Sequence, residues 1–226
     1  MQKKIAVIND LSGYGRCSLT VAIPVLSVMG HQCCPVPTAI LSNHTEFPVY
    51  FFDDYTEKMT AYTDKWKELG LSFDAVATGF LGSEAQIEIV MDMIRKLESE
   101  ETFVVVDPVM GDHGHAYETY TPEMCEQMKE LVCMADIVLP NVTECCILTD
   151  TPYKKENWTR RELLNMAMML RLMGAKSVVI TGVREGSYYT NVVLERGQME
   201  AKFIRTRSSG GERPGTGDVF SSVVAG

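Results

Sequence analysis

The sequence predicts an α/β fold: a mostly parallel central sheet with helices on both faces and an antiparallel hairpin near the C-terminus. Three observations predict it. Short, continuously apolar runs alternate with helical patterns along most of the chain, and a strand buried on both faces has no polar side to alternate. After Ser187 the pattern changes to two apolar runs around a turn, as in a hairpin. No repeat, low-complexity tract or Pro/Gly/Ser linker divides the 226 residues, so one domain spanning 1–226 is expected.

The elements follow in order. Lys4 to Asn9 reads as a buried strand, and Ser18 to Gly30 is apolar at helical spacing. Glu57 to Gly70 is a polar-faced helix ending at glycine. Asp74 to Gly79 is the second clear strand. Ser83 to Glu98 is a helix with Ser83 as N-cap, because Ile87, Met91, Ile94 and Leu97 recur at three- and four-residue steps. Phe103 to Asp107 is a strand stopped by Pro108. Thr121 followed by Pro122 starts a helix, as proline suits the first helical position. Asp136 to Pro140 is a strand, Thr159 to Met173 a helix ended by Gly174, and Ser177 to Thr181 a strand. Ser187 to Arg205 is the hairpin, turning at Glu195 to Gly197. A polar loop from Arg207 to Pro214 leads into Gly215-Thr-Gly-Asp218 and an apolar helix.

Composition limits the function. With 46% hydrophobic residues the chain is too apolar for disorder. The 21 basic and 30 acidic side chains leave a net charge of −9, which argues against a nucleic-acid partner. A nucleotide substrate stays open, because metal ions and backbone amides can offset phosphate charge locally. No apolar run is long enough for a membrane span or a signal peptide. The seven cysteines include two vicinal pairs and no CxxC, so reduced thiols in a cytoplasmic protein are expected.

In an open parallel sheet, ligands bind at the carboxyl ends of the strands. Asn9 and Asp10, Thr78 and Gly79, Asp107 and Asp112, Asn141 and Glu144, and Thr181 and Gly182 all follow strands. Gly215-Thr-Gly-Asp218 places glycines before a helix whose first amides are free to bind phosphate. Asp218 would take a proton from an attacking hydroxyl, or would simply be an acid favoured by the helix dipole. Asn141 and Glu144 would serve Mg²⁺ or its waters, or form a capping box, and both can hold together. The loop Asp107 to Asp112 carries two acids for metal or phosphate, or is a solvated turn. His113 and His115 in the glycine-containing loop that follows read as exposed. Ser42-Asn-His-Thr45 is a compact set of donors and acceptors for a small polar substrate. Gly13-Tyr-Gly-Arg-Cys-Ser18 imitates a dinucleotide fingerprint, but the acid expected about twenty residues on is missing, which disfavours an NAD-dependent oxidoreductase.

Taken together and in order, Ser42-Asn-His-Thr45, Asp107-Pro-Val-Met-Gly-Asp112, Asn141-Val-Thr-Glu144, Thr181-Gly182 and Gly215-Thr-Gly-Asp218 resemble the vitamin B6 (pyridoxal) kinases of the ribokinase-like superfamily. The resemblance implies a three-layer ribokinase-like sandwich and ATP-dependent phosphorylation of the 5′-hydroxyl of pyridoxal, pyridoxine or pyridoxamine. It implies Asp218 as base and the amides of Gly215, Thr216 and Gly217 as the anion hole. Asp10, Ser42, His44, Thr45 and Phe80 would meet the vitamer. Asp107, Asp112, Asn141, Thr181 and Gly182 would meet the nucleotide. Asn141, Glu144 and Asp107 would position Mg²⁺, partly through water, a monovalent cation such as K⁺ would accompany it, and the protein would be a homodimer. Many relatives carry serine where this chain has Asp10, and a carboxylate there would favour a protonated pyridine nitrogen or an amino-bearing vitamer. A hydroxymethylpyrimidine kinase and a non-catalytic vitamer-binding protein are the alternatives. Because relatives run on beyond the position of Gly226, the chain is expected to be a C-terminally truncated piece lacking part of the adenine site.

Overall fold

The computed structural model describes residues 2–45, 47–97, 99, 101–211 and 213–226. Glu98, expected to end the helix begun at Ser83, lies outside them, as do Glu46 and Glu212. The chain forms two compact units, residues 1–105 with 212–226, and residues 106–211.

In the first unit, β1 (Lys4–Tyr14) pairs in parallel with β2 (Gln32–Asn43) and β4 (Ala75–Thr78). The short β3 (Phe52–Asp54) lies antiparallel to β2, and the strand order is β5-β4-β1-β2-β3, with β5 at Phe103–Val106. Residues Ile5 to Asp10 of β1 and all four residues of β4 are buried. A strand with no exposed alternate positions must be covered on both faces, as its uninterrupted apolar run predicts. Helices α1 (Leu19–Val28) and α7 (Thr216–Ala225) pack together, as do α2 (Thr56–Glu68) and α3 (Glu84–Leu97). On α3, Ile87, Val90, Met91, Met93, Ile94 and Leu97 are buried, each stabilising the unit by roughly 1.5–3 kcal/mol. Ser83 accepts from the Gln86 N–H through its hydroxyl, as expected of a cap.

In the second unit, β8 (Ile137–Val138) runs parallel to β9 (Ser177–Glu185), and β9, β10 (Tyr188–Leu194) and β11 (Lys202–Arg207) form an antiparallel meander. Thr121 caps α4 (Pro122–Cys133) by accepting from Met124 N at 3.1 Å. Capping boxes start α5 (Val142–Leu148) at Asn141 and α6 (Arg160–Met173) at Thr159. Gly111–Asp112 (β6) and His115–Ala116 (β7) form a small ribbon.

Three sequence expectations need correction. The segment after Gly30, read only for a missing acid, is the longest strand, β2; its two prolines, Pro35 and Pro37, mask the apolar run. The strand expected over Asp136 to Pro140 shrinks to Ile137–Val138. The strand begun at Ser177 continues to Glu185 because it is itself the first arm of the antiparallel meander.

Candidate active site

The first unit holds Asp218. Gly215, the N-cap of α7, has φ of 80°, in the left-handed region that favours glycine, and a Cβ there would run into the carbonyl oxygen of Arg16. The exposed Thr216 and Gly217 follow, and the first amides of α7 have no partner within the helix. Asp218, half-buried in this first turn, accepts from Asn9 Nδ2 at 3.2 Å and from the Ser18 backbone N–H. Burial pushes its carboxyl above the usual aspartate range; the nearby Asp10 charge adds to this, and the Ser18 and Asn9 hydrogen bonds oppose it.

Asp10 is only 7% exposed. Its Oδ2 accepts from Ser12 Oγ at 2.8 Å, and its Oδ1 accepts from Ser18 Oγ. Ser18 itself has φ of 52°, uncommon for a non-glycine residue. The carboxylate expected to read a pyridine ring thus holds the turn between β1 and α1. Phe80 is half-buried, with its N–H donated to Asn9 Oδ1 at 2.9 Å and its carbonyl accepting from Thr38 Oγ1 at 3.0 Å.

Within Ser42-Asn-His-Thr45, Ser42 Oγ donates to Asn43 Oδ1 at 2.7 Å and accepts from Phe51 N at 2.8 Å, while Asn43 Nδ2 donates to Val49 O at 2.9 Å. Ser42 and Asn43 therefore build their own loop. His44 lies 4.6 Å from the Phe47 ring and occupies the space where Gly15 lacks a Cβ; Thr45 is exposed. Gly13 and Gly15, the pair that imitates a dinucleotide fingerprint, serve close packing against this loop.

The second unit holds Glu144, 4% exposed. Its Oε2 accepts from Asn141 N at 2.7 Å and its Oε1 from Met110 N at 3.2 Å. Asn141 returns the box by accepting from Glu144 N at 2.9 Å, and its Nδ2 donates to Gly111 O at 2.8 Å. Burial raises the Glu144 ionisation well above the ordinary glutamate range, and the charges of Asp107 and Asp112 raise it further. Asp107 is half-buried and Asp112 exposed. Thr181 bridges to Asn141 and donates its N–H to Pro140 O at 2.8 Å, and Gly182 adopts φ of 70°.

Among the described residues no group of three or more His, Cys, Asp or Glu side chains is arranged to hold a metal ion. Asn141 is the cap: its Oδ1 accepts from Glu144 N and its Nδ2 donates to Gly111 O, while the oxygen keeps a second lone pair for a cation or its water. The remaining acids still suit a hard cation: Glu144, Asp107 and Asp112 repel one another, and a divalent ion nearby would relieve that. Mg²⁺ keeps several waters and binds phosphate oxygens along with one or two carboxylates, which fits this incomplete set.

The sequence places Asn9 only at the ligand-binding edge of the sheet and gives no site role to Ser18 or Gln86. Gln86, 1% exposed, donates to Thr38 O and Thr56 Oγ1 and accepts from Gly82 N, fixing the loop that carries Phe80. An amide inside an apolar stretch is the signal, since a buried polar group needs partners.

Over residues 23–226 the chain matches the family described as phosphomethylpyrimidine kinase. The chain belongs to this family. It is a phosphotransferase of ribokinase-like fold, and pyridoxal kinases are among its relatives. A Bacteroides thetaiotaomicron protein described as a phosphomethylpyrimidine kinase, crystallised with pyridoxal, is 42% identical; the match has a TM-score of 0.94 and covers 99% of this chain and 79% of that one. Pyridoxal kinase from Lactobacillus plantarum is 29% identical, with a TM-score of 0.91 and coverage of 100% and 80%. The pyridoxal kinase of Dictyostelium discoideum is 26% identical over 100% of this chain and 78% of its own length. Among the described residues no helix is long and apolar enough to cross a membrane.

Proposed function

We propose that this kinase transfers the terminal phosphoryl group of ATP to the 5′-hydroxyl of a vitamin B6 vitamer. The observation that carries the reading is Asp218, a half-buried carboxylate in the first turn of α7 beside free amides, tethered by Asn9 and Ser18. Asp218 takes the hydroxyl proton as the substrate oxygen bonds to phosphorus; the bond from phosphorus to the bridging oxygen breaks, and ADP leaves. The amides of Thr216 and Gly217, after the left-handed turn at Gly215, receive the charge on the transferring group. On the vitamer side Phe80 covers the ring, with His44 and Thr45 at its polar groups and Ser42 holding their loop. On the nucleotide side Asp107, Asp112, Thr181 and Gly182 meet phosphates and cations, and Asn141 and Glu144 fix their frame. Asn141, Glu144 and Asp107 would hold Mg²⁺, which would supply charge neutralisation at the phosphates. A K⁺ requirement, a homodimer and a cytoplasmic setting belong to the same reading; the last is supported by seven free thiols.

The family's description makes hydroxymethylpyrimidine the rival substrate. A coupled ADP-release assay with pyridoxal, pyridoxine, pyridoxamine and hydroxymethylpyrimidine decides. The expected result is ADP release with at least one vitamer, faster than with the pyrimidine. Release with the pyrimidine alone overturns the reading, as does calorimetry showing vitamer binding without nucleotide binding.

A further inference from the structure

Asn9 ends the apolar run of β1 and is 6% exposed. Its Oδ1 accepts from the backbone N–H of Asp10 at 3.0 Å and of Phe80 at 2.9 Å. Two backbone donors on one atom fix which way the amide faces, because an NH₂ group accepts from neither. Nδ2 therefore faces Asp218 and donates to its Oδ1. Gly79 leaves the room for this: a Cβ there would run into the Asn9 amide, and the Gly79 N–H is itself held by Ile8 O at 2.8 Å. One buried amide thus joins a carboxylate in the first turn of α7 to the backbone of Phe80.

We infer that Asn9 is a positioning residue that sets the Asp218 carboxylate and the Phe80 loop in register through a single side-chain amide. The kinetic consequence rests on the function proposed above. Removing the donor frees the carboxylate to turn, and removing the acceptor frees the Phe80 backbone, so the two halves of the amide have separable effects.

Asn9→Asp keeps an acceptor for both N–H groups, removes the donor to Asp218 and sets a second carboxylate against it. It is expected to lower kcat by about 10–100-fold, the scale of a small misplacement, with the vitamer KM little changed. Gly79→Ala pushes the whole amide aside and is expected to lower kcat and raise the vitamer KM together. Asn9→Ala should do the same, and the Asn9→Ala/Gly79→Ala double variant should be no worse than the poorer single one. Wild-type kcat in Asn9→Asp overturns the inference, and so do additive losses in the double variant, which a packing role alone would give.

A readout without substrate separates this inference from the function. The Asn9 side-chain amide resonance in nitrogen-15-labelled protein should shift in Asp218→Asn and in Gly79→Ala, and stay in place in the surface variant Glu162→Gln. An unmoved resonance in Asp218→Asn refutes the link. Wild-type protein that phosphorylates no vitamer refutes the function, while the resonance test still decides this inference.

Discussion

Asp218 in the first unit and Glu144 in the second each sit in the first turn of a helix, and burial pushes the ionisation of both carboxyls upward. Their surroundings differ. Glu144 accepts from two backbone amides, Asn141 N and Met110 N, and closes a capping box. Asp218 sits behind a bare glycine N-cap with no side-chain cap, and its helix leaves its first amides open. An acid in the first turn is therefore no indicator of chemistry in itself. What separates the two carboxyls is whether the nearby amides are already used: Glu144 occupies two of them, while the first amides beside Asp218 have no partner within the helix.

The largest effect expected from this contrast is on turnover. Asp218→Asn should keep the fold and lower kcat by about 10²–10⁴-fold, the usual contribution of a general base, in the ADP-release assay. Its stability should equal or exceed wild type at neutral pH. With the folded ionisation raised, the neutral carboxyl is favoured at low pH, and this advantage is lost as pH rises from the ordinary aspartate value through the raised one. Thermal melts across that window should show the variant gaining on wild type as pH rises.

Glu144→Ala should break the other half of the comparison by costing roughly 1–3 kcal/mol in urea unfolding, because two amides lose their acceptor. A smaller loss, about 1 kcal/mol, is expected for Asn141→Ala, which removes an N-cap. The smallest effect is a shift in pH dependence. Asp10 is the charged group that raises Asp218, with Asn9 and Ser18 lowering it, so Asp10→Asn should move the acid limb of kcat/KM to lower pH. A limb that stays in place would separate Asp10 from the base.

Much of this was legible in the sequence. The apolar runs of β1 and β4, the cap at Thr121 and the Asn141–Glu144 box follow from local chemistry, and the structure shows each. The glycine–acid motif before α7 was legible because a positive φ and free amides need those residue types. The strand β2 was hidden by prolines, and β3 by its brevity. The link from Asn9 to Asp218 and Phe80 and the bond from Gln86 to Thr38 were hidden for another reason: they join residues 209, 71 and 48 apart, and no local pattern announces a long-range hydrogen bond. Asp10 has local partners that its place at the end of the apolar run did not announce. Ser12 and Ser18 each donate a hydroxyl to one of its oxygens, beside the vitamer contact that the family resemblance implies.

The bond between Asn9 and Asp218 joins residues 209 apart in sequence, and the bare backbone of Gly215 seats against Arg16 over a similar span. Contacts of such separation must overcome a large loop-closure entropy and form late. During synthesis on the ribosome, β1 would emerge with the amide nitrogen of Asn9 unpaired and wait for 209 further residues before its acidic partner exists. The surroundings of Asp218 therefore mature only after the strands that precede it have been made, so a nascent chain can acquire much of its sheet well before this carboxylate is held in place.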